Sequence, residues 1–279
     1  YIEHHTWSAT RLGLDRTRTL LRALGDPQKE LKFVHVAGSN GKGSTCAMLA
    51  SILRRAGYRT GLYTSPYIQE FRERIQVDGE NISGEDLAEL TQTVRDIADG
   101  MEDHPSQFEL VTAIAMAYFR RMGCQMVVLE VGLGGALDST NAIDAPEVAV
   151  ICNIGLEHTE YLGNTLGGIA AAKGGIIKPG CDVVAYPGPP EVMEVLKGIA
   201  RRQGAPLPAA QAEQLHPLGE TLEGQQFSWG ALEGLSLPLL GRHQRYNAAV
   251  ALETVKVLRC RGWTIPDQAV REGLARTRW

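Results

Sequence analysis

The residues with the most chemistry in them are Gly38-Ser39-Asn40-Gly41-Lys42-Gly43-Ser44-Thr45. Backbone N–H groups in such a turn point inward and bind phosphate oxygens. Glycine is needed because a Cβ would block close approach and the left-handed torsions. Lys42 is placed to reach the β- and γ-phosphates of a nucleotide, and Ser44 or Thr45 to offer a hydroxyl to Mg²⁺. A glycine-rich turn with a solvated lysine has the same composition. The context argues against it: an apolar strand pattern precedes the loop, a helix pattern follows, and a hydroxyl pair stands just past the lysine. The loop departs from the common P-loop template, which puts Ser or Thr directly after the lysine and a glycine five residues before it. Here Gly43 and Ala37 hold those places.

Three further side chains have types suited to chemistry. Glu130 ends an apolar run, and an isolated buried carboxylate is costly, so it needs a metal, an N-terminal helix cap or an arginine. His158 is a lone histidine, which by itself is as often structural or exposed as functional. Lys173 closes a helix pattern, where a lysine ordinarily faces water and the helix dipole. His35 lies within a strand pattern and reads as a core or supporting group.

These residues need elements to hold them. Phe33 to Ala37 reads as a buried strand, Ser44 to Ala56 as a helix ended by Gly57, and Arg59 to Tyr63 as the next strand, which makes a βαβ unit. Helices are expected over Gly84–Ala98, Phe108–Met122, Leu166–Lys173 and Glu191–Arg202, and strands over Met126–Val131, Val148–Asn153 and Asp182–Tyr186. The alternation predicts an α/β fold, a doubly wound and mostly parallel sheet carrying the P-loop. Ligands in such sheets bind outside the carboxyl ends of the strands, and the glycine loop, Glu130 and His158 fall at or just past such ends. From Gln203 to Leu240 the pattern changes to prolines (Pro206, Pro208, Pro217, Pro238) and short strands, expected as a small antiparallel β edge. Asn247–Leu258 and Pro266–Leu274 read as closing helices.

The 279 residues suffice for one large α/β domain or two small ones. Hydrophobic residues make up 44% and charged residues 22%, an ordinary globular balance, and the net charge of -4 with scattered Lys and Arg points away from nucleic acid. No apolar run is long enough to span a bilayer, which excludes a membrane-spanning helix. The first residues, with His4 and His5, carry no apolar signal segment. Tyr1 is not a start methionine, so residues are expected to precede it. Cys46, Cys124, Cys152, Cys181 and Cys260 are odd in number and lack CxxC spacing, as expected of reduced, mostly buried thiols in a cytoplasmic protein.

Asn40-Gly41-Lys42-Gly43-Ser44 resembles the loop of the folylpolyglutamate and dihydrofolate synthases, a family within the Mur ligase superfamily. The resemblance extends through Leu62 to Pro66, Glu70 to Ile75, Leu129 to Gly135, Leu137 to Asn141, Gly155 to Thr159, Lys173 to Gly180, and Gly241 to Gln244 with Asn247, and so covers essentially the whole chain. It implies an ATP-dependent ligase that adds L-glutamate to a folate or dihydropteroate carboxylate through an acyl phosphate. Charge on the moving phosphoryl group then calls for a lysine and metal ions. Lys42, His158 and Lys173 are implied as catalytic. Asn40, Gly41, Lys42, Gly43, Ser44 and Thr45 are implied at the phosphates, and Gln244 and Asn247 at the base. Ser44, Ser65, Glu130, His158 and Lys173 are implied as Mg²⁺ ligands, Lys173 through carbamylation, which requires a neutral amine. Ser65, Pro66, Tyr67, Phe71 and Arg74 are implied beside the pterin-type substrate, with Phe71 and Tyr67 stacking on a flat ring and Arg72 or Arg74 pairing with a carboxylate.

Some positions depart from the family pattern: Ala136 for an arginine, Glu157 for an aspartate, Tyr67 for a histidine, Ala172 for a glutamate and Gly174 for an alanine. Ala136, Glu157 and Tyr67 imply an altered substrate preference or a weaker activity, while Ala172 and Gly174 flank Lys173 and bear on its carbamylation. The resemblance also implies a second, smaller domain after residues 1–279 that helps close the nucleotide site and holds glutamate. The present chain, expected to be a monomer, should then bind Mg-ATP weakly and not complete ligation alone. Alternatives are another Mur-type amide ligase, a P-loop nucleotide-binding module without ligase chemistry, and a non-catalytic relative.

Overall fold

The computed structural model describes residues 1–2, 11–207 and 212–279; His4, His5, Trp7 and Pro208 lie outside the described residues. In chain order the elements are α1 (Asp15–Ala23), β1 (Phe33–Ala37), α2 (Lys42–Arg55), β2 (Thr60–Tyr63), β3 (Ile75–Val77), β4 (Glu80–Asn81), α3 (Gly84–Ala98), α4 (Gln107–Arg121), β5 (Met126–Glu130) and β6 (Val148–Ile151). There follow α5 (Thr159–Leu162), α6 (Leu166–Gly174), β7 (Asp182–Ala185), α7 (Pro190–Gln203), β8 (Leu215–Thr221), β9 (Gly224–Trp229), β10 (Leu232–Leu237), α8 (Arg242–Cys260) and α9 (Asp267–Ala275).

The central sheet has the order β4-β3-β2-β5-β1-β6-β7. Strands β2, β5, β1, β6 and β7 run parallel, while at one edge β3 pairs antiparallel with β2 and β4 antiparallel with β3. Side chains alternate between the two faces of the sheet. Val34, Val36, Val128 and Val150 pack toward α2, α8, α9 and the small β8–β9–β10 sheet. Phe33, Val127 and Leu129 meet α1, α3 and α4, and Ala149, Ile151 and Val183 meet α6 and α7. Burial on both faces is why these strands read as unbroken apolar runs rather than alternating ones.

The parallel register sets the site. Val36 lies beside Glu130 and Ala37 beside Ile151, so the chain leaves β1, β5 and β6 at one level. The glycine loop, Glu130 and the turn to His158 therefore open onto the same crevice.

The antiparallel edge appears as β8–β10. The last long helix begins earlier than expected: α8 starts at Arg242, so Gln244 and Asn247 sit one turn apart on one helix. Helix α1 and strands β3 and β4 were not anticipated. In α1 Thr17, Leu20 and Leu21 are buried in an otherwise polar segment, and β3 and β4 span three and two residues, too short to show a period. Helix α4 opens with a capping box, in which the Ser106 hydroxyl accepts from the Glu109 N–H and the Glu109 carboxylate from the Ser106 N–H. Among the described residues no helix is long and apolar enough to cross a membrane.

Candidate functional site

Helix α2 starts at Lys42 with Gly41 as its N-cap, at φ 84°, and that cap supplies no side-chain hydrogen bond. The first-turn N–H groups thus face the crevice without a capping side chain, the arrangement that binds an anion. The loop is braced against β6: the N–H groups of Ser39 and Asn40 donate to the Asn153 carbonyl at 2.7 and 3.3 Å. The Ser39 hydroxyl donates to the Gly155 carbonyl and accepts from the Gly155 N–H, both at 3.0 Å. A Cβ on Gly38 would lie 2.6 Å from Cys152 Cβ, and one on Gly41 would lie 2.4 Å from Asn247 Oδ1. The glycines are required by neighbouring atoms as well as by phosphate approach.

Of the two candidate hydroxyls the structure distinguishes one. Thr45 is fully buried and its Oγ1 accepts from the Cys152 thiol at 3.5 Å. Ser44 Oγ accepts from Gln244 Nε2 at 3.1 Å, and Asn247 Nδ2 donates to Gln244 Oε1 at 3.1 Å. Ser44 is the hydroxyl at the crevice. Gln244 and Asn247 both reach the loop from α8.

Two ammonium groups converge on one carbonyl. Lys42 Nζ donates to Gly38 O at 2.9 Å and to Ser39 O at 3.3 Å; Lys173 Nζ donates to the same Gly38 O at 2.9 Å. Lys173 does not face water: it is 2% exposed and forms an ion pair with Glu157 Oε1 at 2.7 Å. Burial lowers the Lys173 pKa, and Glu157 works against that shift. Burial alone would raise the Glu157 carboxyl, but the hydrogen bond and charge of Lys173 hold it below its ordinary value.

Glu130 is 3% exposed and accepts a hydrogen bond from the Ser65 N–H at 3.2 Å. Burial pushes its pKa up to about 7, against the pull of the Lys42 charge. Gly132 and Ser65, on either side of it, enter a cavity of about 490 Å³ whose wall includes Pro66, Tyr67, Arg74, Phe108 and His158. His158 is exposed, in a left-handed conformation at φ 45°, at the start of α5. Ser65, Pro66, Tyr67 and Arg74 thus meet at one hollow.

Phe71 does not line that hollow. It packs against Tyr67, ring centres 5.9 Å apart, and lines a separate depression with Leu87 and Arg95. It holds Arg74, whose guanidinium lies 5.7 Å from the Phe71 ring and 5.5 Å from the Phe108 ring. Arg72 turns away and pairs with Glu70 at 2.8 Å. A larger cavity of about 610 Å³, bordered by Arg54, Arg55, Arg276 and Arg278, lies away from these loops. Among the described residues no group of three His, Cys, Asp or Glu side chains forms a ready metal cage.

Sequence reasoning missed Phe108, placing it only as the first residue of a helix, although the Ser106–Glu109 capping box marks that helix start and Phe108 lines the hollow. It also missed Asp138, a buried carboxyl accepting from the N–H groups of Leu133 and Thr140, which shapes the wall after β5. His35 is fully buried, with Nε2 2.9 Å from Thr140 Oγ1, a supporting contact behind the same wall.

The Mur ligase middle domain family matches residues 36–255. The chain is 38% identical to a dihydrofolate synthase/folylpolyglutamate synthase of Bacillus subtilis, covering all of this chain and 69% of that protein. It is 37% identical to a folylpolyglutamate synthase of Lacticaseibacillus casei over 95% of this chain and 64% of that one. A solved FPGS-AMPPCP-folate complex superposes with a TM-score of 0.91 at 35% identity, covering 98% of this chain and 70% of that chain.

Proposed function

The chain belongs to the Mur ligase family, in its folylpolyglutamate and dihydrofolate synthase branch, and on that premise we propose that it provides the nucleotide and folate sites of an ATP-dependent ligase joining L-glutamate to a folate or dihydropteroate carboxylate. The observation that carries this is the adjacency of two unlike sites across Glu130: a phosphate loop with two converging ammonium groups, and an aromatic hollow holding Arg74.

In the proposed reaction a substrate carboxylate oxygen attacks the γ-phosphorus, giving an acyl phosphate and ADP. The glutamate amine then attacks the acyl carbon, phosphate leaves and the nitrogen loses a proton. The α2 amides and Lys42 bind and orient the phosphates. Lys173, held by Glu157, adds positive charge at Gly38. Arg74, fixed between Phe71 and Phe108, takes a carboxylate in the hollow while Tyr67 and Phe108 offer ring faces to a pterin.

The donor set suits Mg²⁺. Ser44 is proposed to hold one ion at the phosphates and Glu130, Ser65 and His158 a second, and a buried carboxylate pushed up to about 7 is one that a cation would stabilise. The ions supply neutralisation of phosphate charge. Lys173 joins as a ligand only when carbamylated, which burial favours and Glu157 opposes. The unpaired cysteines fit a reducing cytoplasmic setting, and a monomer in solution is the proposed state.

The test is ADP release by the full natural protein with Mg²⁺ and glutamate, comparing dihydropteroate, tetrahydrofolate and a cell-wall precursor. Release that requires a pteridine carboxylate and glutamate, and that Lys42→Ala reduces on the order of 100-fold or more, is the expected result. Release regardless of acceptor would instead establish a nucleotide hydrolase.

A further inference from the structure

Gly43 is one of two residues that set this loop apart from the common P-loop template, and its environment explains why it lacks a side chain. A Cβ there would lie 2.0 Å from Cζ2 of Trp279, 2.5 Å from Cη2 and 2.8 Å from Cε2. The six-membered ring of the Trp279 indole is therefore seated on the bare Cα of the second residue of α2. That residue belongs to the turn whose N–H groups face the crevice.

The seat is delivered on a stiff support. Helix α9 packs on α2 with Gly273 so close that a Cβ there would meet Ile52 Cα at 2.5 Å. The Ser51 hydroxyl donates to Gly273 O at 2.7 Å, and Thr277 Oγ1, buried, donates to the same carbonyl at 2.9 Å. Thr277 is thus tied down two residues before Trp279. Trp279 is 47% exposed, so it is not a core anchor whose loss would empty the interior. With Asn247 against Gly41 and Gln244 on Ser44, it is the third side chain from the last forty residues that fixes the loop.

We propose that Trp279 is a positioning residue for the phosphate loop, seated on Gly43 so that the first turn of α2 is held in its anion-binding geometry, and that nucleotide binding and the seating of the segment after α9 are therefore linked. The proposal rests on the loop being a nucleotide site. Two rigid surfaces meeting at a glycine leave the turn fewer alternative conformations, so less ordering remains to be done when phosphate arrives. By reciprocity, phosphate bound at the turn strengthens the seat of the indole.

The experiment measures Mg-ATP affinity by calorimetry for the wild type, Trp279→Ala, Trp279→Phe and Lys42→Ala, each checked by urea unfolding. It also records the emission of Trp279 as the wild-type spectrum minus that of Trp279→Phe. Expected are an affinity loss on the order of tenfold in Trp279→Ala at an unchanged unfolding midpoint, recovery to within about threefold in Trp279→Phe, and a Trp279 emission that responds to nucleotide in the wild type but not in Lys42→Ala. Without nucleotide, Gly43→Ala should shift that emission to the red by displacing the ring. Wild-type affinity in Trp279→Ala, or an emission unmoved by Gly43→Ala, would overturn the proposal while leaving the nucleotide site intact. A wild type that binds no nucleotide would overturn both.

Discussion

Replacing Glu157 by glutamine removes the charge that holds Lys173 as an ammonium inside the protein. The Lys173 side chain is 3% exposed and that of Glu157 25%. Breaking a fully buried pair by removing one partner costs about 3–5 kcal/mol. Water reaches the Glu157 end and the amide oxygen of glutamine still accepts a hydrogen bond, so about 2–3 kcal/mol is expected here. The pH dependence gives the sign. The Lys173 pKa is already lowered from 10.5 by burial, with Glu157 opposing. Without Glu157 it falls further, the folded state binds fewer protons than the unfolded one over a wider range, and stability rises with pH through that range up to about 10.5. The deficit of Glu157→Gln should therefore be largest near neutrality and shrink as pH rises. Urea unfolding read by circular dichroism at a series of pH values measures it. The double variant Lys173→Met/Glu157→Gln should recover much of the loss, because no buried charge is left unpaired. A single variant within about 0.5 kcal/mol of wild type, or a deficit independent of pH, would show that Lys173 does not carry its charge on Glu157.

Three other changes probe the scaffold. Glu109 is fully buried, accepts from Arg16 Nε with both oxygens at 3.0 Å and from the Ser106 N–H at 2.7 Å; Glu109→Ala should cost about 2–3 kcal/mol in urea unfolding by leaving Arg16 with Asp103 alone and breaking one half of the α4 capping box. Gly135→Ala would bring a Cβ to 2.7 Å from the Lys173 carbonyl and 2.8 Å from that of Ala172, so a loss of about 1–3 kcal/mol is expected, together with weaker nucleotide binding by calorimetry as α6 shifts Lys173. Burial lowers the Lys178 pKa to about 8, while its Nζ donates to the Asn141 carbonyl at 3.0 Å and to that of Ile143. Its folded pKa lies below its unfolded value, so its contribution rises between pH 8 and 10.5, and Lys178→Met should flatten the unfolding midpoint over that window.

Much of the fold was legible because its signals are local. Val34, Val36, Val128 and Val150 lie in strands buried on both faces, which forces apolar runs, and Gly41 with Lys42 marks a strand-to-helix turn within a few residues. The α8 start was misplaced because Arg242 and His243 face outward in its first turn and carry no apolar period. The exchange of Phe71 for Phe108 at the hollow came from the edge hairpin: β3 pairs with β2 and turns Phe71 toward α3, which spacing alone does not reveal.

The sequence by itself determined which residue types stand at the carboxyl ends of the parallel strands, since alternation of apolar runs and helix periods is written in adjacent residues. Only the tertiary structure decided which of them touch: Lys42 and Lys173 on one carbonyl, Glu157 as the counter-charge, Ser44 rather than Thr45 at the crevice, and Trp279 on Gly43. Those pairings depend on strand register and on how α6, α8 and α9 dock on the sheet, and such long-range packing leaves no trace in local spacing.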